Sequence, residues 1–430
     1  MYELKYGKTK FSVGLPESQI GEVVEANRVD LPRRTVREHI EHALDNPIGA
    51  GPLGEAVGPG DTVAILISDV TRKWQRQAEV LPVLVERLNA LGIPDGDIRI
   101  LSANGTHRAQ TEEEHRTLLG PLFGRFRLID HDCDDRDHLT NMGTTTRGTP
   151  VWLNSYAMAC DKLILTGGVV YHCLAGFGGG RKSVVPGIAG RETINTNHNN
   201  GLSAAFGGGS NPDARSGNMT DTNPFHADLE EAAAMAKPAY LLNVVMDSAT
   251  GGVAAAFAGD WRKAHRAAAE LVEKLDGVYV QSRRPLVLAS AGGYPKDINL
   301  YQTVKTLCNA LLMATPGGTL ILLSECAEGF GDPDCEKQIA GYATMEERER
   351  ALRADFSIGG FVGFLFAESA ERYDLILVTS LPRERFGSVR LRVAATLDEA
   401  LDIAGEINGG LEGLEAALMP HGANTLPKYR

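Results

Sequence analysis

Residues 161–190 read DKLILTGGVVYHCLAGFGGGRKSVVPGIAG. The apolar run Lys162–Thr166 has no polar alternation, so it reads as a strand covered on both faces, as in a parallel sheet. A glycine loop follows and ends in Arg181, Lys182 and Ser183. Similar runs recur at Thr62–Ser68, Ile98–Leu101, Ala239–Met246, Pro285–Ala289, Gly318–Leu323 and Asp374–Thr379. Helix-like stretches separate them, among them 78–91, 111–119, 228–236, 261–275 and 345–354. Strand–helix alternation predicts α/β layers. A polar turn at Gln281–Pro285 precedes a new strand and marks a boundary. We therefore expect two α/β domains with mostly parallel sheets, over 1–282 and 283–404, with the active site in the cleft between them. The tail, about 405–430, is expected to dock back on the first domain.

Composition narrows the function classes. The 430 residues carry 43 Lys and Arg against 55 Asp and Glu, a net charge of −12. No basic block stands out, which argues against nucleic acid as a partner. No apolar run of about 18 residues is present, so no membrane span is expected. The start has no apolar signal core, and the cytoplasm is the expected location. Six scattered cysteines without a Cys-x-x-Cys pair argue against a zinc ribbon, an iron–sulfur cluster or a disulfide framework. Glycine is abundant, 48 residues, and it gathers in loops after the apolar runs.

The loop after Thr166 fails the nucleotide patterns. Arg181 intervenes between Gly180 and Lys182, which breaks a Walker A loop. Gly176 and Gly178 begin a dinucleotide fingerprint, but the third glycine falls wrong. Gly176, Gly178, Gly179 and Gly180 still leave backbone N–H groups unscreened, which suits an anionic group.

Most of the eleven histidines read as surface or satisfied core residues, such as His39, His42 and His265. Three differ. His107 and His172 each follow the carboxyl end of an apolar strand, where open α/β sheets bind ligands. Imidazoles there can take and give protons near neutrality. His198 lies in Asn195–Asn200, a polar segment with little to pack, so it is a candidate metal or ligand contact. Asp69 and Arg72 follow a third strand, and the guanidinium fork of Arg72 suits a carboxylate. The bland alternative there is a local ion pair. After a fourth strand, Tyr301 and Lys305 share a helix face by their spacing, with Gln302 beside them. Two strand-end histidines and a carboxylate clamp suit proton traffic on a hydroxy acid.

Four motifs, in order, resemble the lactate racemase family of nickel-pincer nucleotide enzymes. They are Asp69-x-Thr71-Arg72, Gly105-x-His107-Arg108, the run from His172 to Ile188 followed by Asn197-His198, and the run from Gly292 to Lys305. The resemblance covers most of the chain. It implies a racemase or epimerase of 2-hydroxy acids that works by proton-coupled hydride transfer to a cofactor made by other proteins. Lys182 would be joined to that cofactor through a thioamide, and His198 would be the protein ligand to nickel. His107 and His172 would be the paired bases. Arg72, Gln302, Lys305 and Tyr301 would hold substrate. Asp69, Thr71 and the glycines Gly176 and Gly178–Gly180 would lie about the cofactor.

The chain departs from the lactate enzymes around the pocket. Lys73-Trp74-Gln75 follows Arg72, Cys173-Leu174 follows His172, and Gly178 stands where a serine is expected. No clear tryptophan supplies an aromatic wall from the second domain, and Phe361 or Phe364 are the candidates for it. Aliphatic, aromatic and sugar-derived hydroxy acids stay open as substrates. A nucleotide-dependent dehydrogenase, a small-acid binding protein and a zinc hydrolase built on His107, His172 and His198 are the competing readings.

Overall fold

The computed structural model describes residues 2–248 and 250–429. Two six-stranded sheets organise them. Across the first sheet the strands run Val253–Gly259, Tyr240–Met246, Lys162–Val169, Val63–Ser68, Ile98–Ala103 and Leu128–Asp130. Only Val253–Gly259 pairs antiparallel. The chain builds outward from Val63–Ser68 to Leu128–Asp130, then returns to the opposite side with Lys162–Val169. These two inner strands are direct neighbours, Ile65 opposite Ile164. A reversal of strand order of this kind opens a crevice at the carboxyl ends.

Burial explains the unbroken apolar runs. On one face of the sheet, Ile65 and Ile100 pack with Ile40, Val80 and Leu84 of two covering helices. On the other, Leu66 and Leu165 pack with Ile188, Phe225 and Leu229. Both faces are dry, so no polar position interrupts the strands.

The second sheet is all parallel: Arg392–Ala394, Asp374–Val378, Ala314–Leu323, Arg284–Ser290, Ala416–Met419 and Ile20–Val23. It is not built from 283–404 alone. Ile20–Val23 comes from the amino-terminal end, and the tail strand Ala416–Met419 pairs with Arg284–Ser290. Only the last strand, Leu426–Lys428, reaches back to Gly277–Tyr279. Parallel pairing is long-range, so nothing local in these four-residue strands reveals their partners.

The loop after Lys162–Val169 forms a short hairpin, Tyr171–His172 with Gly176–Phe177, and then a tight turn at Gly180–Ser183. Arg181 is its buried post, 1% exposed. Its Nη2 donates to the Ala175 carbonyl at 2.6 Å, its Nε to His226 Nδ1 at 3.1 Å, and its Nη1 to the Phe177 carbonyl at 3.4 Å. His265 sits on the buried face of Lys263–Asp276 as a satisfied core histidine. Its Nε2–H donates to the Gly178 carbonyl at 2.8 Å. A Cβ on Gly180, at φ +53°, would come within 2.6 Å of that ring. Burial, and then the Arg181 charge, hold His226 down at about 2 and His265 at about 3. Both rings are therefore neutral and able to serve the guanidinium and the loop.

Replacing Arg181 by Met strands two carbonyls and His226 Nδ1. An unpaired buried polar group costs about 1–3 kcal/mol, and loss of a buried charge offsets part of this, so the net expected cost is about 2–4 kcal/mol. Denaturant midpoints of Arg181→Met and of Arg266→Met, an exposed control, measure it. Equal midpoints would refute the post.

Candidate active site

The site is assembled at the strand ends of both sheets. Asp69 caps the turn Val70–Gln75 that follows Val63–Ser68. Its Oδ1 accepts from the Thr71 N–H at 2.8 Å and from the Thr71 hydroxyl at 2.5 Å, and its Oδ2 lies 2.9 Å from His107 Nδ1. Burial alone would raise the Asp69 carboxyl. The His107 hydrogen bond and charge, with Arg72 and Thr71, outweigh burial and hold it at about 2. An ionised Asp69 can only accept, so His107 carries a proton on Nδ1, and Nε2 is the nitrogen left to exchange protons. A carboxylate on Nδ1 also orients an imidazole and stabilises the imidazolium it becomes.

His172 has the opposite arrangement. Its Nδ1 accepts from the Leu174 and Ala175 N–H groups, each at 3.2 Å. The neutral ring then carries its proton on Nε2, which lies 2.8 Å from Lys182 Nζ. Only an unprotonated amine can accept that proton. Burial brings Lys182 down to about 7; Cys173 opposes this, and Arg181, Arg72 and Lys305 reinforce it. His172 is itself driven well below its ordinary value by burial and then by Lys182, Lys305, His198 and Arg72. The pair is a neutral imidazole and a near-neutral amine.

His198 is buried on Arg191–Asn199. Its Nδ1–H donates to the Ile194 carbonyl at 2.8 Å, and its ring stands edge-on to Phe225 at 4.8 Å. Burial, and then the Lys182 charge, lower it to about 3. Its Nε2 lone pair is thus free, the tautomer of a metal-ligating histidine whose other nitrogen is tied to the backbone. One free amine and one bare imidazole fit a cofactor tethered at Lys182 that takes a single histidine ligand. Among the described residues, the only three potential protein ligands whose donor atoms gather within 4.8 Å are Asp132, Cys133 and Asp134. His107, His172 and His198 therefore do not form a three-histidine zinc site.

The second sheet contributes Leu300–Met313, which begins at the strand end of Arg284–Ser290 with Asn299 as its cap. Lys305 Nζ donates to Gln302 Oε1 at 2.8 Å. Burial, and then Arg72, bring Lys305 down to about 8. Burial, and then Asp332, raise the Tyr301 hydroxyl. Arg72 thus bears electrostatically on His172, Lys182, Lys305 and Tyr301 at once, from the first sheet to the second. Tyr301, Gln302 and His107 share the wall of a cavity of about 260 Å³.

Two expectations change. Two of the loop donors are used within the protein: Gly178 N–H donates to the Val170 carbonyl and Gly180 N–H to Asn243 Oδ1, each at 2.8 Å. The glycines answer to packing instead. A Cβ on Gly176, at φ +74°, would lie 2.4 Å from the Asn218 carbonyl oxygen. These bonds give no support to a phosphate held by the loop backbone. Phe361 and Phe364, each 1% exposed, belong to the core and do not line the cavity. The sequence reading also missed Cys308, one turn beyond Lys305, whose hydrogen bond lowers the Cys173 thiol beside His172. Neither cysteine has a local signal that marks it.

Residues 6–207 match the family described as the lactate racemase N-terminal domain, and residues 280–426 the lactate racemase C-terminal domain. The chain is 30% identical over 438 residues to a lactate racemase of Lactiplantibacillus plantarum, covering 99% of both. It is 33% identical over 331 residues to a lactate racemase of Thermoanaerobacterium thermosaccharolyticum, covering 76% of this chain and 75% of that one. The lactate racemase apoprotein structure from T. thermosaccharolyticum superposes with a TM-score of 0.88 at 29% identity, over 99% of both chains. A Thermotoga maritima protein shares the fold, with a TM-score of 0.67 at 20% identity over 94% of this chain and 100% of that one. The L. plantarum relative spans nearly the whole chain and both sheets, and the chain belongs to the lactate racemase family of isomerases.

Proposed function

We propose that the protein inverts the hydroxyl-bearing carbon of a 2-hydroxy acid, using a nickel-pincer nucleotide joined to Lys182 and ligated by His198. The observation that carries this reading is the pair of strand-end histidines, His107 held on the Asp69 carboxylate and His172 on two backbone N–H groups beside Lys182. In each direction one ring, neutral, takes the substrate hydroxyl proton, and the other, as its imidazolium, gives a proton back, which is what inversion through a planar keto acid requires. The cofactor, when bound, supplies the acceptor and donor of the α-hydrogen as hydride.

The chain's own residues do the rest. Arg72 and Lys305 hold the substrate carboxylate, and Gln302 fixes the Lys305 ammonium. Asp69, ionised throughout the neutral range, orients His107 and stabilises its charged form. Lys182, once acylated, can no longer accept from His172, which frees His172 Nε2 to exchange a proton with the substrate. For the opposite enantiomer the two histidines exchange roles. Tyr301 closes the site toward the second sheet, and Thr71 holds Asp69. The glycines act through the placement of Lys182. The reading implies cofactor-synthesis proteins as partners and a cytoplasmic location; among the described residues no helix is long and apolar enough to cross a membrane.

Protein produced alongside the cofactor-synthesis enzymes should show a cofactor-sized mass increment on Lys182 and nickel equimolar with chain, both lost in Lys182→Ala. Unmodified, nickel-free protein from a host shown to make the cofactor would refute the assignment. In cofactor-free protein, Lys182 is protonated below about pH 7 and a free amine above it. Its acylation by an amine-selective reagent, followed by peptide mapping, should therefore reach half its maximal rate near pH 7, whereas an ordinary lysine does so near about 10.4. Asp69→Asn should lower kcat/KM of the loaded enzyme by roughly 10²–10⁴-fold with KM little changed, because it removes the support for the His107 imidazolium. An unchanged kcat would remove Asp69 from the mechanism.

A further inference from the structure

The cavity beside His107 extends away from the tether, since Lys182, His172 and His198 are not among its lining residues. It lies between Arg191–Asn199 and the amino-terminal ends of three second-sheet helices, Leu300–Met313, Pro333–Ala340 and Ile358–Arg372. Its lining is rich in hydrogen-bonding groups: Thr106, Asn195, Asn299, Asp332, Asp334 and Ser357. The Asn195 amide, the Thr106 hydroxyl and the Tyr301 hydroxyl make no hydrogen bond to the described protein, and Asp332 uses only Oδ1. A lactate methyl needs none of these donors and acceptors, and an apolar substituent here would leave them unpaired.

The space is built into the sequence. A Cβ on Gly359 would lie 1.8 Å from Asp332 Oδ1, and one on Gly331, at φ +77°, would lie 2.4 Å from the Asn299 amide carbon. Both side chains have room only because these positions are glycine.

Charge selects the ligand further. Arg191 on the rim is held by Asp134 through two 2.6 Å bonds. The helix ends are capped from within: Asn299 accepts from Gln302 N–H, Asp332 from Asp334 and Cys335 N–H, and Ser357 from Gly360 N–H. Among the described residues no uncommitted lysine or arginine lines the cavity to receive a second carboxylate or a phosphate, while Asp332 and Asp334 repel either. Hydroxyl groups fit: they donate to the carboxylates and accept from the Asn195 and Asn299 amides.

We propose that this cavity receives the distal chain of the substrate, and that the substrate is an open-chain polyhydroxy acid inverted at carbon 2. The proposal rests on the racemase reading and deepens it. The hydrogen on carbon 2 leaves and returns to the opposite face, every other stereocentre is kept, and the atoms balance without a co-reactant. The enzyme is then a 2-epimerase.

The test presents gluconate, malate and lactate separately to nickel-loaded protein and follows configuration at carbon 2 by NMR. Expected is a kcat/KM for gluconate at least about tenfold above that for lactate and malate, since a site built for hydroxyls discriminates strongly against analogues that lack them. Asn195→Leu, a change on a half-buried helix face, should narrow the gluconate-to-lactate ratio. A preference for lactate or malate, or a ratio unmoved by Asn195→Leu, overturns the proposal and leaves the racemase reading standing. Where none of the three is inverted, the racemase reading stands or falls on the Lys182 mass increment and nickel content, and calorimetric titration of the same protein with the same acids decides the cavity. Tighter binding of gluconate than of lactate sustains the polyol cavity, and equal or weaker binding overturns it.

Discussion

Arg181 is a buried cation with no carboxylate in contact among the described residues, and the position of Lys182 depends on it. Two loop carbonyls and the ring of His226 take its donors, and His265 braces the same loop through Gly178. A buried charge is tolerated only when it is thoroughly hydrogen-bonded. The two histidines meet that condition because burial keeps them neutral. With Arg181 turned inward, the next residue must turn out of the core, so Lys182 Nζ reaches His172 at the strand end. The adjacent basic residues therefore divide the work: one is structural and the other chemical.

The chemistry depends on an imbalance of charge. Arg72 and Lys305 lower Lys182, Arg72 lowers Lys305, and all three lower His172, while the Asp69 carboxylate is committed to His107. Burial first, and neighbouring cations second, disfavour protonation in this site. Lys182 is thereby available as a nucleophile before loading, and His172 and His198 are neutral in the cofactor-free protein. The same cations give an anionic substrate a reason to enter. The neighbouring cavity reverses this character with Asp332 and Asp334, so carboxylate and distal chain face different electrostatics within one substrate length.

The two sheets reach this arrangement by the same topological rule. In the first, the order reverses between Val63–Ser68 and Lys162–Val169. In the second, it reverses between Arg284–Ser290 and Ala416–Met419. Site residues follow three of these four strands, because a reversal leaves their carboxyl ends uncovered by crossover helices.

How much of this was legible in the chain depends on range. Unbroken apolar runs identified the central strands, since a strand buried on both faces admits no polar alternation. The placement of Asp69, His107, His172 and Tyr301–Lys305 followed from their positions just after such runs, together with the spacing of four motifs. Other features depended on neighbours hundreds of residues away. Ile20–Val23 and Ala416–Met419 joined the second sheet by pairings that leave no local mark. His265 reads in the sequence as surface or satisfied core, and only the packing of its helix on the loop chooses between them; Phe361 and Phe364 read as wall candidates, and burial removes them. The tautomers of His107, His172 and His198 are set by a carboxylate, two N–H groups and a carbonyl that only the folded backbone brings within 3.2 Å. Sequence determined which residues could carry protons and where the strands end. Tertiary structure decided which nitrogen holds each proton, because that depends on desolvation and on a partner's direction, and neither exists before the chain has folded.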